Sequence, residues 1–132
     1  MIVVDTSAFI EYYRPAGDKR VAAAVAGAIA GDEVAINGII HVEILAFVSR
    51  AADRDRLAED FRAFHWLEIE RDDYDRAAEI GFGLRREGLT VPATDLIVAA
   101  SAMQVAAKLY HVDSHYDLIA GHTDLQARHL RS

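Results

Sequence analysis

Four acidic residues lie where predicted strands or helices begin or end, or inside an apolar helix: Asp5, Glu43, Asp95 and Asp113. Asp5 follows the apolar run Ile2-Val3-Val4 and precedes two hydroxyl residues, Thr6 and Ser7. If the four carboxylates met in one pocket, they would repel one another unless a hard divalent cation joined them. The sequence therefore predicts a metal-binding hydrolase that acts on phosphodiester bonds.

Each of these acids also has an ordinary structural explanation. Glu43 could be a solvated flank of its helix, and Asp95 could be a first-turn charge that complements the helix dipole. Asp5 could cap the helix beside it, with Thr6 or Ser7 as the competing cap. Asp113 could simply occupy a turn. The occurrence of all four acids at such positions favours a shared site.

The elements that must position these acids are short strands that alternate with helices. The predicted strands cover residues 2–4, 33–36, 66–69 and 109–112, and the tail after Gly121 is expected to be a weak edge strand or partly disordered. The predicted helices cover residues 5–11, 18–30, 39–50, 53–64, 72 or 73 to 87, 95–107 and, as a turn or short helix, 114–120. This alternation predicts one α/β domain over residues 1–132, with a mainly parallel sheet of four or five strands between helices.

In such a sheet, ligands bind outside the carboxyl ends of the strands. Asp5 and Asp113 fall just past predicted strand ends, and Asp95 opens a helix for which Thr94 is the expected N-cap. Asn37-Gly38 is predicted to be a turn. Asp72 or Asp73 is predicted to cap the helix that ends before Gly88.

Several other groups receive simpler interpretations. His111 and His115 are predicted to be surface histidines. The two glycines of Gly81-Phe82-Gly83 are predicted to mark a place where their helix packs closely against another element. The aromatic residues Phe9, Tyr12, Tyr13 and Phe47 could line an exposed groove for another chain.

Composition narrows the class of protein. The 132 residues include no cysteine, which excludes disulfides, thiolate zinc sites and thiol nucleophiles, and fits a cytoplasmic location. No apolar stretch is long enough to span a membrane, and the N-terminus lacks the features of a signal peptide. The net charge of −7 opposes nonspecific binding of nucleic acid unless metal cancels part of it. A basic rim could nevertheless come from three arginine-containing groups: Arg14, Lys19 and Arg20; Arg50, Arg54 and Arg56; and Arg85 and Arg86.

Four segments together resemble the PIN-domain ribonucleases, in particular the VapC-like toxins of type II toxin–antitoxin pairs. They are Val3-Val4-Asp5-Thr6-Ser7-Ala8, Val42-Glu43-Ile44-Leu45, Ala93-Thr94-Asp95-Leu96-Ile97-Val98-Ala99-Ala100 and Val112-Asp113-Ser114-His115-Tyr116-Asp117-Leu118-Ile119-Ala120-Gly121. The resemblance implies a three-layer α/β/α fold. It departs from the family at Tyr116, where phenylalanine is usual, and in a tail without an apolar strand.

The resemblance also implies how the site residues act. Asp5, Asp95 and Asp113 would hold Mg²⁺ or Mn²⁺ directly or through water, and Glu43 would activate the attacking water or bind metal itself. Asp117 would be an auxiliary acid, and Thr6 or Thr94 would position a water or a phosphate oxygen. The expected activity is metal-dependent endoribonuclease cleavage of RNA, and the expected partners are a small antitoxin and a second copy of the chain.

Two other functions remain open from the sequence. A PIN fold could be retained for binding alone, although none of the four acids is missing. An aspartate-based phosphotransferase or receiver could use Asp5, but Ser7 occupies the position where a second acid is usual, and the only late lysine, Lys108, lies at a helix end.

Overall fold

The computed structural model describes residues 1–131, which form a five-stranded sheet and seven helices. The strands are β1 (Ile2–Val4), β2 (Val34–Ile36), β3 (His65–Trp66), β4 (Lys108–His111) and β5 (Gln126–His129). The helices are α1 (Thr6–Tyr13), α2 (Lys19–Ala30), α3 (Gly38–Leu45), α4 (Ala51–Arg62), α5 (Arg71–Arg86), α6 (Ala93–Gln104) and α7 (Ser114–Ala120). The predicted α/β class is confirmed.

The sheet has the strand order β3-β2-β1-β4-β5, and every neighbouring pair is parallel. β1 lies at its centre, where Val3 pairs with Ala35 of β2 and with Leu109 of β4. All three residues of β1 are buried. Because successive side chains of a strand point to opposite faces, this pattern means that both faces of the sheet are covered.

The parallel arrangement brings several polar residues to one edge of the sheet. Asp5 directly follows β1, Asn37 directly follows β2, and Asp113 lies two residues beyond the end of β4. Each of the three accepts a backbone N–H in the first turn of the next helix and so caps α1, α3 or α7. The predicted turn at Asn37-Gly38 is therefore wrong, because Asn37 starts a helix there.

Two other predicted caps are also wrong. α6 begins at Ala93 after Pro92, whose fixed φ suits a helix start, so Thr94 lies within the first turn and is exposed. α5 begins after Glu70, which forms a capping box with Asp73. Asp73 therefore contributes to the capping box, but it lies three residues after the N-cap residue Glu70 and is not itself the N-cap.

Several element bounds differ from prediction by a few residues, most clearly around α3, α4 and β3. α3 ends at Leu45 rather than Arg50, α4 starts at Ala51, and β3 is limited to His65–Trp66. The tail forms an ordered edge strand, β5, flanked by Leu125 and Leu130, which are 6% and 4% exposed. These two anchors explain how a polar strand is held against β4.

Helices α5 and α6 pack closely at Gly81. A Cβ atom at this position would lie 2.7 Å from Leu96 Cδ1, whereas one at Gly83 would meet nothing within 4 Å. The predicted close contact is therefore confirmed for Gly81 alone.

Over residues 1–131, no helix combines the length and the apolar character needed to cross a bilayer.

Candidate functional site

Asp5 is a buried carboxylate with hydrogen bonds to both oxygens. It is 4% exposed, and its Oδ2 accepts hydrogen bonds from the backbone N–H of Ser7 at 3.0 Å and from the Ser7 hydroxyl at 2.7 Å. The Ser7 hydroxyl in turn accepts the N–H of Val112 at 3.1 Å. Ser7 therefore links Asp5 to the segment that follows β4, and this fixes the carboxylate at the edge of the sheet.

Tyr116 joins two of the acids. Its fully buried hydroxyl donates to Asp5 Oδ1 at 2.8 Å and lies 3.4 Å from Asp95 Oδ1. Burial, followed by the charges of Asp5 and Asp95, raises the pKa of the phenol above its usual value, so the group keeps its proton. The residue noted as a departure from the family pattern thus contributes a hydrogen-bond donor inside the acidic cluster.

His115 joins Asp95 to Asp113. Its Nδ1 lies 3.0 Å from Asp95 Oδ2 and 3.2 Å from Asp113 Oδ1. Burial raises the pKa of Asp95 to about 6, the charges of Asp113 and Asp5 add to the rise, and His115 opposes it. His115, predicted to be a surface histidine, is partly exposed, but its ring also contacts two site carboxylates, which the sequence did not indicate.

Glu43 reaches the same region from α3. Its Oε1 accepts a hydrogen bond from the Thr6 hydroxyl at 2.8 Å, and its pKa is raised mainly by burial, with a further contribution from the charge of Asp5. The structure thus brings together the four acids that the sequence singled out, together with Thr6. Thr94 is exposed at the start of α6 and is not part of these hydrogen bonds.

Asp117 has other partners. Its Oδ2 is 2.8 Å from His129 Nδ1, and its Oδ1 is 3.6 Å from His111 Nε2. His111 is fully buried, contrary to the prediction, and burial lowers its pKa. Because His111 Nδ1 accepts the backbone N–H of Asp113 at 3.1 Å, the neutral ring must carry its proton on Nε2, facing Asp117.

Asp117 therefore lies between two histidines beside the acidic cluster: it is hydrogen-bonded to His129, whereas the buried His111 Nε2 has no hydrogen-bond partner in the described part of the chain. The protonated His111 Nε2 offers no lone pair to a metal ion. Sequence reasoning did not find this arrangement because it depends on β5, which brings His129 next to Asp117.

The acidic cluster suits a divalent cation. One donor atom from each of Asp95, Asp113 and His115 lies within 4.8 Å of the other two, and Asp5 and Glu43 are close enough to influence the neighbouring acids electrostatically. The pKa values of Asp95 and Glu43 are raised first by burial of the carboxylates and then by the negative charges of neighbouring acids, which the protein groups do not fully compensate. A bound cation would supply that compensation, and the mainly oxygen donor set matches hard ions.

An open groove of about 470 Å³ is lined by Thr6 and Glu43 and lies between α1, α3 and α4. Its other lining residues are Phe9, Ile10, Tyr13, Arg14, Pro15, Ile44, Phe47, Val48, Asp53, Arg56 and Leu57. Phe47 is 83% exposed, whereas Phe9 is buried. Of the aromatic residues predicted for a groove, Phe9, Tyr13 and Phe47 line it, and Tyr12 does not.

Comparisons with known proteins agree with this architecture. The family model described as "PIN domain" matches residues 2–121. Ribonuclease VapC11 of Mycobacterium tuberculosis is 32% identical over 99% of this chain and 100% of that protein. The structure of FitAcB from Neisseria gonorrhoeae covers 99% of both chains with a TM-score of 0.81 and 23% identity. A toxin-antitoxin complex from Klebsiella pneumoniae covers 86% of this chain and 88% of the matched chain, with a TM-score of 0.71 and 17% identity.

Proposed function

The chain belongs to the PIN domain family, and we propose that it is a divalent-metal-dependent endoribonuclease and the toxin of a toxin–antitoxin pair. The observation that carries the proposal is the convergence of Asp5, Glu43, Asp95 and Asp113 at one edge of the sheet, linked by Thr6, Tyr116 and His115. A full-length relative named as a ribonuclease, VapC11, supports the same activity.

Asp5, Asp95 and Asp113 would hold Mg²⁺ or Mn²⁺. When bound, the cation polarises the scissile phosphate and favours ionisation of a coordinated water. Ser7 and Tyr116 fix the direction of the Asp5 carboxylate, which leaves it preorganised rather than free to rotate. Tyr116 also reduces the repulsion between Asp5 and Asp95 by donating a hydrogen bond within the cluster.

Glu43 is suited to take the proton of the attacking water. Its raised pKa brings it closer to the working pH than that of an ordinary glutamate, which is the direction that general-base catalysis requires. Thr6 donates to Oε1 and fixes the rotamer of the side chain, which leaves Oε2 for the water. These contacts give Thr6 a positioning role.

RNA would approach along the basic residues near the cluster. Arg14 and Arg56 line the same groove as Glu43, although each also pairs with an acid, Glu11 or Asp53. These two arginines are the members of the predicted rim that line the groove together with Glu43. We expect the reaction to take place in the cytoplasm, where cellular RNA is available.

The groove also suits a segment of the antitoxin. Its walls are largely apolar, Phe47 is strongly exposed, and Glu43 of the acidic cluster is one of the residues that line it. A partner segment with apolar side chains for the groove and an arginine for the acidic end would block access to the cluster. We expect Phe47→Asp to weaken capture of the cognate antitoxin in a pull-down without abolishing RNA cleavage. The family resemblance also implies a homodimer, which sedimentation analysis tests.

The phosphotransferase alternative fits less well. Ser7 stands where that chemistry usually needs a second acid, and its hydroxyl donates to Asp5 Oδ2 at 2.7 Å instead of supplying a carboxylate. A binding-only role has no feature in its favour, since all four acids are present.

The proposal is tested by incubating total cellular RNA with the purified chain and Mg²⁺ or Mn²⁺. We expect discrete fragments with the wild type and with the exposed control Asp124→Asn, and none with Asp5→Asn or with EDTA. Folded wild-type protein that cleaves no RNA with either metal would contradict the proposal and favour a binding module.

A further inference from the structure

The acidic cluster contains one donor that is not an oxygen. His115 Nδ1 lies 3.0 Å from Asp95 Oδ2 and 3.2 Å from Asp113 Oδ1. Within residues 1–131, these three side chains are one of two groups whose ligand atoms are close enough together to share an ion. The other group contains His111, whose Nε2 carries the ring proton.

The spacing of the three atoms suits neighbouring positions around an octahedral ion. Ligand atoms about 2.1 Å from such an ion and at right angles to each other are about 3.0 Å apart. The separations of 3.0 Å and 3.2 Å are close to this value. His115 is held in place because its backbone N–H donates to Asp113 Oδ1 at 2.9 Å in the first turn of α7.

Only one of the two ring nitrogens of His115 faces the carboxylates, which leaves the other free of the cluster. In the metal-free protein, the two carboxylates favour a proton on Nδ1. Nε2 has no hydrogen-bond partner in the described part of the chain, and the side chain is 37% exposed. When Nδ1 coordinates a cation, Nε2 is therefore available to carry the ring proton.

We propose that His115 is a nitrogen ligand of the metal centre and makes the site prefer Mn²⁺ to Mg²⁺. This inference rests on the proposed metal-dependent function. Mg²⁺ favours oxygen ligands and retains its waters, whereas imidazole is a good ligand for first-row transition metals. Replacing His115 should weaken Mn²⁺ binding by roughly tenfold or more and change Mg²⁺ binding much less.

The test measures binding directly. Mn²⁺ and Mg²⁺ affinities are measured by calorimetry for the wild type, His115→Asn, His115→Asp and the control His122→Asn, each checked for folding by circular dichroism. Asparagine keeps a hydrogen-bonding amide near the Nδ1 position but removes the imidazole. Aspartate supplies an oxygen and should shift the preference towards Mg²⁺. His122 is a suitable control because it pairs with Glu87, outside the cluster.

Pulsed electron paramagnetic resonance of bound Mn²⁺ supplies the second measurement. We expect a ¹⁴N coupling in the wild type and in His122→Asn that changes with ¹⁵N-histidine labelling and disappears in His115→Asn. Equal Mn²⁺ affinity in His115→Asn with no nitrogen coupling in the wild type would overturn the role of His115 and leave the proposed carboxylate centre intact. If neither ion binds the wild type, or if Asp95→Asn leaves binding unchanged, the proposed metal centre itself fails.

Discussion

Replacing Asp95 with asparagine should stabilise the metal-free protein at neutral pH. The pKa of Asp95 is raised from 3.8 to about 6, chiefly because the carboxylate is buried and secondarily because Asp113 and Asp5 are close. A difference of about two pKa units corresponds to roughly 3 kcal/mol. Solvent and the mutual adjustment of the other acids will reduce this value, so we expect a gain of roughly 1–2 kcal/mol.

The sign and the pH range follow from proton linkage. Below pH 3.8, Asp95 is largely protonated in both the folded and the unfolded states and has little effect on the pH dependence. As the pH rises from 3.8 to about 6, the unfolded state loses this proton before the folded state does, so the wild type loses stability. Asparagine cannot ionise, so the free energy of unfolding of Asp95→Asn should exceed that of the wild type by an amount that grows over this range and then remains constant.

The assay is urea denaturation in EDTA between pH 4.5 and 8, with the exposed Asp124→Asn as a control for the loss of one negative charge. The control should change the free energy of unfolding by less than about 0.5 kcal/mol at any pH. Mn²⁺ at about one hundred times its dissociation constant should add roughly 2.7 kcal/mol to the wild type, but much less to Asp95→Asn. An Asp95→Asn protein that is no more stable than the wild type at pH 7.5 in EDTA would refute the reasoning.

Three further predictions concern separate parts of the account. Tyr116→Phe removes a buried hydroxyl that donates to a carboxylate, and should lower the free energy of unfolding by roughly 1–3 kcal/mol without metal; an unchanged urea midpoint would contradict the bond. Gly83→Ala should stabilise α5 by up to about 1 kcal/mol, whereas Gly81→Ala should be less stable than Gly83→Ala by roughly 1–3 kcal/mol because its Cβ meets Leu96; equal stabilisation by both would show that the helices are not in close contact. Glu43→Gln should lower the rate of RNA cleavage by roughly 10²–10⁴-fold with little change in Mn²⁺ affinity, and a matching loss of affinity in calorimetry would make Glu43 a ligand instead of a base.

The sequence predicted the fold and the four acids because both depend on local patterns. Short apolar runs alternate with helical periodicity, and Asp5 and Asp113 lie just after strands, where a parallel sheet places ligand sites. The tail was harder to interpret because β5 is an edge strand with alternating exposure. Its stability depends on Leu125 and Leu130, which flank the strand rather than forming part of it.

The missed site residues depend on contacts between distant parts of the chain. His115 has a role in the cluster only because α7 brings it to Asp95, twenty residues earlier in the chain. Asp117 was expected near the other acids, but β5 supplies His129 as its partner. The helix caps were misplaced for a local reason, since Asn37 and Thr94 are equally typical of caps and turns and backbone geometry decides between these roles.

The central claim, that the carboxylate cluster directs metal-dependent attack of water on RNA, is tested most directly by the ends of the fragments. A defined RNA cleaved in H₂¹⁸O with Mn²⁺ is analysed by mass spectrometry at early times, with the wild type and with Asp5→Asn. The account predicts one ¹⁸O in each new terminal phosphate, no 2′,3′-cyclic phosphate, and no product with Asp5→Asn or EDTA. Cyclic phosphate ends, or cleavage that persists without Asp5 and metal, would contradict it.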